Sequence, residues 1–291
     1  VEMGARHDGD IAELVKIARP HIGILTNIGE AHLEIFGSRE ALARTKWGLF
    51  SMDAQAILNA NDAVSSLRAA SLRTPPKWFG AGAPSYPGTY LADPRTLELT
   101  DAQPAVRVDI HVHIPGKHNH ENVAAAIAAA RVCSMPVTDI VAAAPTLTLP
   151  PGRYERMKIS GRPAIIYDAY NANMTGTLAA LDAFADEPGR RRIAVLASMA
   201  ELGEEAPLMH ERVGSHAAAS HVDVLLVGGE FADSLAKGAR EAGFAADRIE
   251  RFSNNTAAVT WLRRYAGNDD VVLLKGSRIY KLEEIIEGLL S

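Results

Sequence analysis

The chain has 291 residues, 47% of them hydrophobic, with a formal net charge of −5 and one cysteine, Cys133. That length favours two domains, and the apolar share is enough for ordinary buried cores. No basic run supports nucleic-acid binding, no apolar stretch is long enough to span a bilayer, and no signal-peptide pattern opens the sequence. A lone cysteine excludes an intrachain disulfide and fits a reducing compartment, so the expected location is cytoplasmic.

In chain order, Val1 to Ala5 reads as a strand, with Glu2 at or just beyond its end. Asp10 to Ala18 reads as a helix with Asp8 or Asp10 as N-cap. Ile22 to Leu25 is a buried strand, and the loop Asn27 to Glu34 follows it. In open α/β sheets, ligands bind at the carboxyl ends of strands. The loop crowds Asn27, Glu30, His32 and Glu34 together, groups that suit a hydrated divalent cation beside a phosphate. Taken alone, His32 reads as a polar loop residue rather than a metal ligand. Ser38 to Glu40 opens a helix carrying Lys46, by itself a solvated helix lysine. Ala56 to Asn59 and Lys77 to Gly80 read as strands, with a helix from Val64 to Leu72 between them. Arg107 to Ile114 alternates polar and apolar, the pattern of a half-buried strand. His111 and His113 share one of its faces, but neither they nor His118 and His120 carry a zinc-site spacing. Asn122 to Cys133 is a helix of small residues, with Cys133 expected to be buried.

Pro150-Pro151-Gly152 opposes helix continuation and is the best linker. Beyond it, the strands Ala164 to Tyr167, Ile193 to Leu196, Val222 to Val227 and Val271 to Leu274 alternate with helical segments. Such alternation implies a parallel sheet with right-handed crossovers. The expected division is therefore 1–149 and 150–291, the second a doubly wound α/β domain.

Several polar residues sit where a ligand can reach them. Asp168, Asn171 and Asn173 follow the first strand of the second domain, and Lys275 ends the last. Asn and Asp also favour turns for their own reasons. His118, Asn119 and Asn122 begin the helix after Gly116; amides there can read the adenine edge, and Asn119 can instead cap the helix.

Seven segments carry a resemblance. They are Glu2-Met3-Gly4-Ala5, Thr26 to Glu34, Phe36-Gly37-Ser38 with Lys46, Gly116 to Asn122, Gly152-Arg153, Asp168 to Asn173, and Leu274 to Arg278. In this order, over Glu2 to about Glu284, the chain resembles the Mur ligases, ATP-dependent enzymes that add amino acids to the peptidoglycan precursor. Asp168-Ala169-Tyr170-Asn171-Ala172-Asn173 and Met199-Ala200-Glu201-Leu202-Gly203 are most similar to the branch that adds D-alanyl-D-alanine.

The resemblance implies a fold class and a reaction. Residues 1–149 look like the later part of a central ATPase domain, and 150–291 like a Rossmann-like C-terminal domain. ATP would phosphorylate the carboxylate of a UDP-N-acetylmuramoyl peptide, and D-Ala-D-Ala would attack the acyl phosphate. Implied cofactors are ATP and Mg²⁺, and the implied state is a monomer without nucleic-acid or membrane partners. Glu2 and His32 match metal positions, and Lys46 matches a lysine carbamylated in several members. His118, Asn119, Asn122, Arg153 and Asp168 match nucleotide contacts. Asn171 and Asn173 are implied to orient substrate, and Lys275 to meet carboxylate or phosphate. His32, Lys46 and Lys275 are the implied catalytic set.

Two departures leave the acceptor amine open. Met174-Thr175-Gly176 stands where the family usually has proline and then polar residues, and Ala197-Ser198 where it has Gly-Asp. No G-x-x-x-x-G-K-[ST] occurs, and the pair Gly228-Gly229 lacks the Lys-Ser/Thr ending. With Val as first residue, the sequence reads as a fragment, expected not to turn over ATP alone. A second reading keeps the fold as a binding or regulatory module without turnover.

Overall fold

The computed structural model describes residues 1–29 and 33–291. The chain divides into two compact units, Val1–Thr148 and Leu149–Ser291.

The first unit runs α1 (Asp10–Ala18), β1 (Ile22–Leu25), α2 (Leu33–Phe36), α3 (Arg39–Trp47), β2 (Gln55–Asn59), α4 (Ala63–Arg68) and β3 (Lys77–Ala81). It continues with β4 (Gly88–Asp93), β5 (Thr96–Leu99), β6 (Val106–Asp109), α5 (Lys117–Val132) and α6 (Val137–Ala143). The sheet order follows the chain, β1 to β6. β1 to β4 pair in parallel, and β5 and β6 add antiparallel strands. α5 lies across β2, β3 and β4. Leu25, Ala56, Leu58 and Trp78 form a buried cluster on the sheet, with Trp47 and Phe50 against it.

Several local expectations are corrected. The strand over Val1 to Ala5 does not form; residues 1–5 take no place in the sheet, and Glu2 is exposed. An apolar-looking run becomes a strand only with a neighbour to pair with. Neither Asp8 nor Asp10 caps α1. Gly9, at φ 90°, occupies the N-cap. The Asp10 carboxylate instead accepts the N–H groups of Arg6 and His7, each at 2.8 Å, while Asp8 binds Arg44 and Thr45. β6 stops at Asp109, yet the alternation persists: Ile110, Val112 and Ile114 are buried while His111 and His113 are exposed. α5 begins at Lys117, directly after Gly116 as expected, where Gly116 turns the chain at φ 87°. Cys133 is exposed, not buried, at the end of that helix.

The second unit runs β7 (Glu155–Met157), β8 (Ala164–Asp168), α7 (Met174–Ala185), β9 (Arg192–Ala197), α8 (Ala206–Ala219), β10 (Val224–Gly228) and α9 (Ala232–Glu241). It ends with β11 (Ile249–Phe252), α10 (Asn255–Tyr265), β12 (Val271–Lys275) and α11 (Glu283–Leu290). The sheet order is β11-β10-β9-β12-β8-β7, parallel except for β7 at the edge. From β8 to β11 the chain steps toward one edge, then returns to lay β12 between β9 and β8. With right-handed crossovers, that reversal sends α7, α8 and α9 to one face and α10 to the other. Ile165, Ile193, Val195, Leu226, Val272 and Leu274 pack with α10 and α11 in one core. On the opposite face α8 and α9 approach closely. A Cβ on Gly238 would sit 1.9 Å from the Glu211 carbonyl oxygen.

Candidate functional site

The two units are built separately, and each places polar groups at the carboxyl ends of its parallel strands. In the first unit, β2 ends in Asn59, whose side-chain amide donates to Thr26 O at 2.9 Å and to Glu121 Oε2 at 3.1 Å. Asn61 donates to Glu121 Oε1 at 2.7 Å and to Ala81 O at 3.0 Å. Glu121, in the second turn of α5, therefore ties the ends of β1, β2 and β3 to that helix. The sequence placed Asn59 at the end of a strand but gave no sign of its tie to Glu121, which helical spacing alone does not mark.

Around this clamp stand the expected nucleotide contacts. Asn119 is buried and donates to Pro115 O at 2.8 Å, so it braces the chain entering α5 and does not cap it. The N-cap position belongs to Gly116. His118 is half-buried and Asn122 exposed, one turn apart on α5. Lys46, late in α3, donates to Asn27 O at 3.4 Å at the end of β1. Glu2 is exposed, and His32 lies outside the described residues. Among the described residues, no three His, Cys, Asp or Glu side chains converge as a metal-holding group. The described residues do not make a closed cation cage.

In the second unit, the crevice lies where the strand order reverses, at the ends of β8, β9 and β12. The onward connections of β9 and β12 leave toward opposite faces there, and open α/β sheets bind ligands at such points. Asp168 and Lys275 are register partners on adjacent strands. Their side chains, 13% and 6% exposed, meet at 3.0 Å. The other Asp168 oxygen accepts the Tyr154 N–H at 3.1 Å, and Lys275 also donates to Asn171 O at 2.8 Å. An ammonium has three N–H donors, and these two contacts fix its direction. Burial drives the Tyr154 phenol well above its ordinary pKa, so it stays neutral.

Arg153 lies over the Tyr170 ring, 4.5 Å from its centroid, and Tyr170 is 55% exposed. The Pro150-Pro151-Gly152 turn is fastened to the same loop, since Tyr170 N donates to Gly152 O at 3.1 Å. Asn173 is the N-cap of α7, its Oδ1 accepting from Gly176 N at 2.7 Å. Asn171 Oδ1 turns back on Ala172 N at 2.8 Å. The turn chemistry of both asparagines is thus occupied locally.

The departures from the family form have physical content. Met174 occupies the first position of α7, where a proline is equally tolerated because that N–H has no helical partner. Ser198 is buried, and its hydroxyl accepts from Phe231 N at 2.8 Å and donates to Gly228 O at 3.3 Å. Since Ala197 carries a Cβ, Gly276 must not; an added Cβ would lie 2.6 Å from it. Two further residues were missed by sequence reasoning. Ser277 Oγ accepts from Ala200 N at 2.9 Å, and buried His210 reaches the same loop through Met199 N. Only the tertiary fold brings these segments together.

Two α/β units, each with amide, carboxylate or ammonium groups at its strand ends, make this a two-unit α/β protein. The chain belongs to the Mur ligase family: residues 1–130 match the Mur ligase middle domain and residues 152–278 the Mur ligase glutamate ligase domain. It is 32% identical to the UDP-N-acetylmuramoyl-tripeptide–D-alanyl-D-alanine ligase of Escherichia coli K12, over 99% of this chain and 64% of that one. The ligase of the same name from Mycobacterium tuberculosis CDC 1551 is 36% identical, over 100% of this chain and 62% of that one. Among solved structures, MurF of Acinetobacter baumannii superposes with a TM-score of 0.83 at 25% identity, covering 99% of this chain and 63% of that one. MurF ligase of Thermotoga maritima in complex with ADP gives 0.81 at 26% identity, covering 99% and 66%. The chain thus spans less than two thirds of the length of these relatives. Among the described residues, no helix is long and apolar enough to cross a membrane.

Proposed function

We propose that the protein to which this chain belongs is an ATP-dependent ligase that joins D-alanyl-D-alanine to a UDP-N-acetylmuramoyl tripeptide. The reading is carried by whole-chain likeness to ligases of that name at 32% and 36% identity. It is supported by the ammonium and carboxylate held at the strand-order reversal of the second unit. The reaction turns the peptide carboxylate into an acyl phosphate, which the amine of the dipeptide attacks with loss of phosphate. Two anions must be brought together, so cationic groups that screen charge are required. Lys275 is suited to this, since Asp168 and Asn171 fix its ammonium before any ligand arrives.

His118, Asn119 and Asn122 are proposed for the adenine, with Asn119 acting by bracing the start of α5. Arg153 and Asp168 are proposed as nucleotide contacts, and Asn171 and Asn173 as residues that shape the loop facing substrate. Mg²⁺ needs few protein ligands when phosphates supply oxygens. Glu2, His32 and a carbamylated Lys46 are the groups proposed to supply the remainder. The division into an ATP-binding domain over 1–149 and a C-terminal domain over 150–291 belongs to the same reading. So do a monomeric state, a cytoplasmic location, and the absence of nucleic-acid or membrane partners.

The test is phosphate release by the full-length protein with ATP, Mg²⁺ and UDP-N-acetylmuramoyl tripeptide. Release should depend on added D-Ala-D-Ala. Nucleotide binding without dipeptide-dependent release would favour a binding module.

A further inference from the structure

The imidazole of His210 is fully buried in α8, and both its nitrogens are engaged. Met199 N donates to Nε2 at 2.8 Å, and Nδ1 stands 2.6 Å from Ala206 O. A backbone N–H can only donate and a carbonyl can only accept. The ring is therefore neutral, with its proton on Nδ1 and a lone pair on Nε2. Phe231 stacks on it at 4.6 Å, and Phe231 N donates to Ser198 Oγ, so the ring and the end of β9 are fixed together. Beyond Met199, Ala200 N is held by Ser277 Oγ at 2.9 Å. The loop then passes through Glu201 and Gly203, both at positive φ, 61° and 60°. An L residue such as Glu201 holds that angle only when its surroundings impose it.

We propose that His210 is a positioning residue for the crevice of the second unit, holding Met199–Gly203 beside the end of β12 through its unprotonated Nε2. The proposal rests on the ligase reading above. A proton on Nε2 would set two donors against each other and release the loop. Burial lowers the basicity of His210 and protects the neutral form; its contacts with Ala206 O and the charge of Glu230 act the other way but are weaker. Other charges on the packed elements are engaged or solvated. Glu211 binds Lys237, Asp182 binds His216, Arg278 binds Glu283, and Glu204 and Glu205 are exposed.

The test compares His210→Gln with His210→Leu in the full-length protein. Gln can accept from Met199 N and donate to Ala206 O without titrating; Leu can do neither. His210→Leu should lower kcat/KM for the dipeptide by roughly 10–100-fold, the scale of a misplaced site, with the thermal transition still cooperative. His210→Gln should recover most of that loss and remove the part of the acid limb below pH ~6.5 that belongs to this ring. On the chain itself, imidazole nitrogen shifts should show Nδ1–H and bare Nε2, and amide exchange at Ala200 to Gly203 should quicken in His210→Leu only. A proton on Nε2 in the neutral ring, or unchanged exchange in a folded His210→Leu, would overturn the proposal. So would an identical acid limb in His210→Gln. A wild-type protein without ligase activity would overturn the functional reading alone, and the tautomer and exchange data would still decide the positioning role.

Discussion

The strand-end groups of the two units are held differently. In the second unit they bond one another: Asp168 to Lys275, Lys275 to Asn171 O, Ser277 to Ala200, Met199 to His210. In the first, Glu121 clamps Asn59 and Asn61 behind the site, while Glu2 and Asn122 are presented to solvent. The same residues can thus carry site and stability together, or site alone. A buried charge must be paired to exist at all, whereas an exposed one costs little to keep.

The largest effect should follow from breaking the buried pair. Lys275→Met leaves Asp168 without its cation and should lower the unfolding free energy of the chain by about 3–5 kcal/mol. Lys46→Met should change it by about 0.5 kcal/mol or less. Urea denaturation of both variants measures this. A wild-type midpoint for Lys275→Met would end the contrast.

Activity should be sensitive in the first unit where stability is not. In the full-length protein, Glu2→Ala and His32→Ala should each cost about 10–100-fold and raise the Mg²⁺ requirement. Glu2→Ala should leave the melting temperature unchanged, since that residue is exposed. Wild-type kinetics in both variants would remove these residues from the metal site.

Acid should act on the second unit in two windows. Burial raises the pKa of Asp270, but hydrogen bonds from Arg191, Gly267 N and Arg190 outweigh it and hold the group below its ordinary 3.8. Its stabilisation is complete above that value and is lost as pH falls through the lowered one. His210, held below 6.5 chiefly by burial, favours the folded state fully above 6.5 and loses that contribution as pH falls below it. Melting curves against pH should therefore lose the upper step in His210→Gln and the lower one in Asp270→Asn. In the first unit, Asp8 is also held low, by hydrogen bonds from Thr45 and Arg44, but it is exposed. Its contribution should fade with added salt. Equal salt sensitivity of the two units would blunt the comparison.

The smallest effect concerns Asn173. As a helix cap, its replacement by Ala should cost about 1 kcal/mol. A KM for the dipeptide within about threefold of wild type would place its whole role in the cap, threefold being under 1 kcal/mol. A larger rise would give it a substrate contact as well.

Much of the second unit was legible because buried parallel strands are written as continuous apolar runs. Ile193 to Leu196 and Val271 to Leu274 can be read no other way between helical segments. The short antiparallel β7, with the polar sequence Glu155–Met157, left no such trace. In the first unit, Val1 to Ala5 carried the pattern of a strand but found no partner in the sheet. Asp168 and Lys275 were legible as strand-end residues, but their mutual pairing was not, because it joins positions more than a hundred residues apart in the chain.

Sequence alone determined the buried parallel strands and helices of the second unit, their alternation and the family to which the chain belongs. Local patterns suffice for these because they depend on near neighbours and on the period of apolar residues. Tertiary structure decided which polar groups meet. The capture of Asp168 by Lys275, the clamp of Glu121 on two asparagines and the hold of Ser277 on Ala200 all join segments distant along the chain. Hydrogen bonds of that kind exist only after the sheet register has been set, and no pattern of neighbouring residues encodes them.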